Sequence, residues 1–257
     1  MMRSWIACLK KEFTEQARTG KLMFLLILFI LFGIMNPAVA KLTPWLMEVM
    51  SESLAQSGMV ITEVTVSAMD SWVQFFKNIP MALIAFTLLE GAVFTKEYQS
   101  GTLVLSLTKG LPRHQIVLAK TTLLVLLWTA GYWLCFAITY GYNAWFWDNT
   151  VAQNLMYSVV CWWLFGLWVI ALLVLFSTLA GGSSAVLMGT GITVLASYLL
   201  GLLPSLKEYV PTVLTDGNSL IYGMAEKESY TASLLICAAL TLLCFSAAIP
   251  VFRRKQL

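Results

Sequence analysis

Charged residues are scarce in this sequence of 257 residues: they make up 11% of the chain, against 59% apolar residues. Soluble domains average about 25% charged and roughly 45–50% apolar residues. A soluble core of this size has no room for so much apolar surface, so the composition excludes a soluble globular protein. The chain is predicted to be an integral membrane protein.

Several chemical signatures are also missing. The chain has one histidine, His114, and five cysteines without paired spacing, so neither a metal site nor a disulfide framework is indicated. It contains no GxxxxGK[ST] phosphate-binding loop, so the chain is not expected to hydrolyse ATP itself. The apolar runs hold no His, Asp, Lys or Arg at depth, which argues against an intramembrane enzyme and an ion-coupled transporter. No catalytic residue and no nucleic-acid partner are expected.

Six apolar runs are long enough to cross a bilayer as helices. They cover about residues 22–40, 72–95, 116–140, 155–180, 185–203 and 230–252. The prediction is an all-α integral membrane protein, with six transmembrane helices in one domain, 1–257. Segments 41–71 and 204–228 are expected on the extracytoplasmic side. In the first of these, Thr43-Pro44 indicates the start of a second interfacial helix.

The first twenty residues have the pattern of an amphipathic helix. Apolar side chains recur on one arc, whereas the opposite arc is charged and includes Lys11 and Glu12. Because an apolar run follows directly, residues 1–20 are predicted to lie as a helix in the membrane interface, in contact with lipid.

The placement of lysine and arginine predicts the orientation. With the N-terminus in the cytoplasm, 12 of the 16 basic residues fall on the cytoplasmic side. The four on the outer side are Lys41, Lys77, Lys207 and Lys227. By the positive-inside rule, both termini are therefore expected in the cytoplasm. The predicted location is a cell membrane, namely the cytoplasmic membrane of a bacterium.

An aliphatic, uncharged segment stands in the middle of the longest polar cytoplasmic stretch, residues 96–120. Leu103, Leu105 and Leu107 have no reason to occur in a solvated loop unless something covers them. One interpretation is that they pack on the membrane ends of the protein itself. The other is that they form a short helix that binds in the groove of a soluble partner.

The residues around this segment resemble the first cytoplasmic loop of type-2 ABC transporter permeases. The likeness also covers the layout of the chain, which has an interfacial elbow helix before six spans. Where that family usually has proline three residues before the arginine, this chain has Gly110. The matching residues are Glu97, Gly101, Thr102, Leu103, Arg113 and Lys120.

The resemblance implies that residues 96–115 form a coupling loop that touches a separate ABC ATPase subunit. It implies a transmembrane subunit of an ATP-driven exporter that works as a homodimer, with ATP and Mg²⁺ on the ATPase and no cofactor on this chain. The implied substrate is hydrophobic or amphipathic, such as a peptide, an antibiotic or a lipid. The alternative is a non-transporting scaffold or sensor that recruits a soluble partner. The implied ATPase-binding residues are Glu97, Gly101, Thr102, Leu103, Leu105, Leu107 and Arg113.

Two features inside the spans are further candidates. Glu90 is the one ionisable residue well inside an apolar run. It snorkels to the membrane interface, pairs with a cation such as Lys120, or senses movement of the loop. In the fifth run, small residues recur every four positions and allow another helix to approach closely, within the subunit or at a dimer contact or pathway wall. They are Ala185, Gly189, Thr193, Ser197 and Gly201.

Overall fold

The computed structural model describes residues 2–56, 65–103, 108 and 112–254, and all regular structure in these ranges is helical. Within them, six stretches are long and apolar enough to cross a membrane. This confirms the predicted all-α architecture with six transmembrane helices. The stretches are Lys21–Val49, Ala68–Gln99, Arg113–Phe146, Leu155–Leu179, Ser183–Gly201 and Glu228–Arg254.

The helices are numbered in chain order over the described residues. Short 3-10 turns lie between some of them. The helices are α1 Met2–Arg18, α2 Lys21–Gln56, α3 Ala68–Glu90, α4 Thr95–Gln99, α5 Arg113–Phe146, α6 Leu155–Leu179, α7 Ser183–Gly201, α8 Gly217–Ile221 and α9 Glu228–Arg254.

Helix α2 continues without interruption past Pro37 and Pro44. The prediction that Thr43-Pro44 starts a separate helix is therefore wrong. With 36 residues the helix is about 54 Å long, which exceeds the ~30 Å hydrocarbon core of a bilayer. Its C-terminal part must project beyond the membrane as a continuation of the span.

A polar contact from another helix explains why α2 tolerates its first proline. Pro37 has no N–H, so the carbonyl of Gly33 loses its helical hydrogen bond. The hydroxyl of Thr139 on α5 donates to this carbonyl at 3.1 Å. Thr139 in turn accepts a hydrogen bond from Asn36, which accepts one from Asn78 on α3. These four residues tie α2, α3 and α5 together inside the membrane, where unsatisfied polar groups are costly.

The core lies between α2, α3, α5 and α6 and is rich in aromatic rings. Trp128 of α5 is fully buried and makes edge contacts with Phe29 and Phe86, at 5.9 and 5.7 Å between ring centroids. Its indole packs directly on Gly166, which leaves no space for a Cβ atom. Close approach of this kind is how helices associate in lipid, where the hydrophobic effect gives no drive.

The segment between α7 and α9 folds back onto α6 and α9 rather than standing free. The indole of Trp162 donates to the carbonyl of Thr215 at 2.8 Å. Tyr230 and Ser233, in the first turns of α9, donate to the carbonyls of Asp216 and Glu208. This end of the bundle is thus closed by chain that is hydrogen-bonded to two spans.

Candidate functional site

The opposite end of the bundle brings together distant parts of the chain. The rings of Phe94 and Tyr98 lie 6.4 and 6.2 Å from the ring of Phe252, near the end of α9. Arg113, at the start of α5, donates to the carbonyl of Arg253 at 3.2 Å. We call this end, formed by α1, α4, the first turns of α5 and the last turns of α9, the terminal face. Helix α1 and the last described turns of α9 therefore lie on one side of the protein.

Four charged side chains form a compact cluster at the terminal face. Lys120 Nζ on α5 lies 2.7 Å from Glu12 Oε2 and 3.3 Å from Glu97 Oε2. Lys11 Nζ lies 2.8 Å from Glu97 Oε1 and 3.3 Å from Glu12 Oε1. Each carboxylate thus bridges both ammonium groups, and the cluster is neutral. It connects α1 to α4 and α5, and Lys120 in its centre is only 2% exposed.

The cluster exists because α1 turns a polar stripe towards the protein. Cys8, Glu12 and Gln16, spaced by one turn, are buried, whereas Ile6 and Phe13 are about half exposed. The sequence pattern places Glu12 on the charged arc of α1, and in the structure its side chain is buried. The periodicity separated the apolar arc correctly, but the charged arc has a buried part whose partners are supplied by α4 and α5.

The electrostatic setting keeps Lys11 charged. Burial alone would lower the pKa of its ammonium group, but the hydrogen bond to Glu97 and the charges of Glu12 and Glu97 raise it above the ordinary value. Burial and the nearby carboxylate of Glu12 raise the pKa of the Cys8 thiol. Cys8 therefore stays a neutral, buried thiol beside the cluster.

Glu90 is fully buried and has partners other than the predicted Lys120. Gln16 Nε2 donates to Glu90 Oε2 at 2.7 Å, and Lys21 Nζ lies 3.7 Å from the same oxygen. The other oxygen, Oε1, has no hydrogen-bond partner among the described residues, and neither has the side-chain oxygen of Gln16. Lys120 instead bonds Glu12 and Glu97. Whether Glu90 senses the loop stays a prediction.

The helix is interrupted between Glu90 and Thr95. Helix α3 ends at Glu90 and α4 begins at Thr95, with a turn at residues 91–94. At Gly91, a Cβ atom would lie 2.7 Å from the end of the Leu187 side chain on α7, so a larger residue would force that side chain to move. The turn thus separates α3 from the short helix α4 within the stretch Ala68–Gln99.

The predicted ATPase-binding residues fall into two groups. Glu97 and Leu103 are buried, the first in the cluster and the second in the core, at 7% and 2% exposure. For Leu103 this matches packing on the protein itself. Gly101 and Thr102 are exposed, and Gly101 has a φ of +67° that favours glycine. Contact of these residues and of Arg113 with a partner stays a prediction. Leu105 and Leu107 lie outside the described residues.

The small-residue stripe of α7 mostly contacts the chain itself. A Cβ atom on Gly189 would lie 2.7 Å from the ring of Phe176, on α6. Near the other end, Ser197 is buried and Gly201 lies close to Val210. Ala185 is exposed, and the hydroxyl of Thr193 bonds a carbonyl of its own helix. Gly189, Ser197 and Gly201 therefore serve packing within the subunit.

Three carboxylates, Glu12, Glu15 and Glu97, have oxygen atoms within 4.8 Å of one another, a spacing that a metal ion could bridge. Two of the three already bond Lys11 and Lys120. The ammonium groups of Lys11 and Lys120 therefore supply positive charge to Glu12 and Glu97, as a bound metal ion would.

An apolar groove that the sequence did not indicate lies between α3, α6 and α7. Its volume is about 370 Å³, and its walls are almost wholly apolar, as at Leu83, Phe165 and Val194. Thr87 and Thr190 are among its few polar residues. The groove forms because α7 contacts the rest of the bundle along one narrow side, so a space remains beside it.

The chain is a multi-pass membrane protein, because it is helical and has six candidate spans. An ion-paired cluster lies at its terminal face. The model of the family described as ABC-2 family transporter protein matches residues 6–257. The chain belongs to this family, and so is a transmembrane permease subunit of an ABC transporter, a class that works with an ATPase subunit. Comparison with curated protein sequences gives no significant match.

Proposed function

We propose that this chain is the translocation subunit of an ATP-driven exporter, working as a homodimer with two separate ATPase subunits. The ATPase docks on the terminal face, at the segment that follows α4. The observation that carries this proposal is the way in which α4 is held: Glu97 is fixed by Lys11 and Lys120, which come from two other helices. If the ATPase changes conformation, the segment on which it docks can move the spans only when that segment is firmly bonded to them.

The orientation follows from charge. The terminal face carries the exposed basic residues Lys10, Arg18, Lys96, Arg253 and Arg254. Since basic residues are retained in the cytoplasm, we place the terminal face, with both ends of the chain, on the cytoplasmic side of a bacterial cell membrane. ATP and Mg²⁺ would then bind to the ATPase subunit, which is the partner that supplies the phosphate-binding loop missing here.

The groove supports a hydrophobic or amphipathic substrate. It lies beside α7, which is mostly exposed along its length and has large exposed apolar side chains such as Met188, Ile192 and Leu199. A second copy placed against α7 would enclose the groove at the subunit boundary. A molecule carried there would meet almost only apolar atoms, as a lipid, an apolar peptide or an apolar antibiotic requires.

Reconstitution tests the proposal. The chain is expressed with each candidate ABC ATPase subunit of its source organism, purified, and incorporated into lipid vesicles. We expect co-purification of both subunits in equal numbers, ATP hydrolysis that vanadate inhibits, and vanadate-sensitive movement of a fluorescent lipid or an apolar peptide. An ATPase variant that lacks the phosphate-binding lysine is the control. A complex that assembles but moves none of the test substrates at any ATP concentration would instead favour the scaffold or sensor.

A further inference from the structure

Helix α1 contacts the chain on both sides of the α3–α4 break. Before the break, Gln16 donates to Glu90 at 2.7 Å. After it, Lys11 donates to Glu97 at 2.8 Å. Gln16 and Lys11 stand on one continuous helix, so their spacing is fixed. The distance between Glu90 and Glu97 is therefore set by α1 as well as by the turn between them.

Two lysines from other helices bind the carbonyl groups at the break. Lys21, at the start of α2, donates to the carbonyl of Leu89 at 2.8 Å, and Lys120 donates to the carbonyl of Val93 at 3.1 Å. The last carbonyls of a helix have no partner within the helix, and cations there are favourable. The ammonium groups thus stabilise the end of α3 in its present direction. With Glu12 and Glu97, the Val93 carbonyl gives Lys120 three acceptors.

We propose that α1 is a strap that holds the α3–α4 break in one geometry, with Gln16 and Lys120 as its positioning residues. This inference rests on the proposed function, because α4, which the strap positions, leads into the segment that receives the ATPase. Movement of α4 must then carry α1 and α5 with it, since separating them would leave Lys120 or its carboxylates buried without a partner.

A positioning role and a purely stabilising role of these contacts predict different results. If the contacts only hold the fold together, weakening them lowers the amount of protein but leaves each surviving complex fully coupled. If they position α4, a protein that still folds should hydrolyse ATP without moving substrate. The readouts are therefore the transport per ATP hydrolysed, and the mobility of a spin label attached at Gln99→Cys, in a background without the five native cysteines.

Two single variants, one double variant and one control are compared in the complete complex. Gln16→Leu removes the contact before the break without changing any charge. Lys120→Met removes the central ammonium group. Should that variant fail to fold, Lys120→Met combined with Glu12→Gln keeps the cluster neutral, because Lys11 and Glu97 remain paired. Lys207→Met is the matched control, since Lys207 is an exposed lysine in the segment that closes the opposite end of the bundle.

We expect Gln16→Leu and the double variant to lower transport per ATP by about tenfold, the scale on which residues along a coupling network act. The spin label at position 99 should become more mobile in both, while Lys207→Met stays like the parent. Parent-like transport and parent-like label mobility in both variants would overturn the strap. If the parent complex shows no ATP-driven transport, the proposed function fails, and label mobility alone still decides whether α1 holds α4.

Discussion

At the scale of single residues, burial and hydrogen bonding decide which side chains position 90 tolerates. Its Oε2 receives the amide of Gln16, whereas its Oε1 and the oxygen of Gln16 have no partner among the described residues. A glutamine at position 90 could donate to the oxygen of Gln16 while still accepting from its amide. Glu90→Gln therefore keeps an acceptor for the amide of Gln16 and removes only the charge.

We expect Glu90→Gln to fold at least as well as the parent, and Glu90→Leu to be destabilised by about 1–3 kcal/mol, because leucine leaves the buried amide of Gln16 without an acceptor. Thermal unfolding of the two variants in the same detergent measures the difference. Equal losses in both would mean that the charge of Glu90, through Lys21, matters more than the hydrogen bond.

At the scale of helices, the contact between α2 and α5 depends on the carbonyl that Pro37 leaves free. Thr139→Val keeps the shape of the side chain but removes the donor to Gly33 and the acceptor for Asn36. We expect a loss of about 1–2 kcal/mol, since interhelical hydrogen bonds in membranes contribute roughly 0.6 kcal/mol on average and a freed buried group adds to this.

The control for this change is Thr193→Val on α7. The hydroxyl of Thr193 bonds the carbonyl of Gly189 in its own helix, where the backbone hydrogen bond is already present. Its removal should leave the melting temperature within experimental error of the parent. If the two valine variants unfold alike, the Thr139 hydroxyl does not join α2 to α5 and another contact must explain the continuous helix.

At this same scale, some features of the fold could be predicted from the sequence and others could not. The six spans could be predicted because length and hydropathy are local properties of the chain. The burial of Glu12 could not, because its partner Lys120 is 108 residues away, and a helical pattern reports only which arc is apolar. The passage of α2 through Pro37 likewise depends on Thr139, which no local signal at the proline reveals. For Leu103 the sequence leaves two interpretations open, because the polarity of its neighbours does not reveal the core beneath it. The structure shows packing on the protein itself.

At the scale of the whole molecule, the orientation can be measured directly. We expect an impermeant maleimide to label Lys227→Cys in intact cells and to leave Gln99→Cys unlabelled until the membrane is opened. Both side chains are exposed, so access depends on the side of the membrane rather than on burial. The native cysteines are replaced beforehand. Labelling of position 99 in intact cells would place the terminal face outside and remove the basis for ATPase docking there.

The central claim is that the terminal face receives the ATPase, and site-specific photo-crosslinking tests it most directly. A photoreactive amino acid is placed at Thr102, exposed on the terminal face, or at Met224, which is 80% exposed on the opposite end. After irradiation of native membranes, we predict a crosslinked product from position 102 that contains a protein with a phosphate-binding loop, and none from position 224. An ATPase crosslinked from position 224 and not from position 102 would contradict the account.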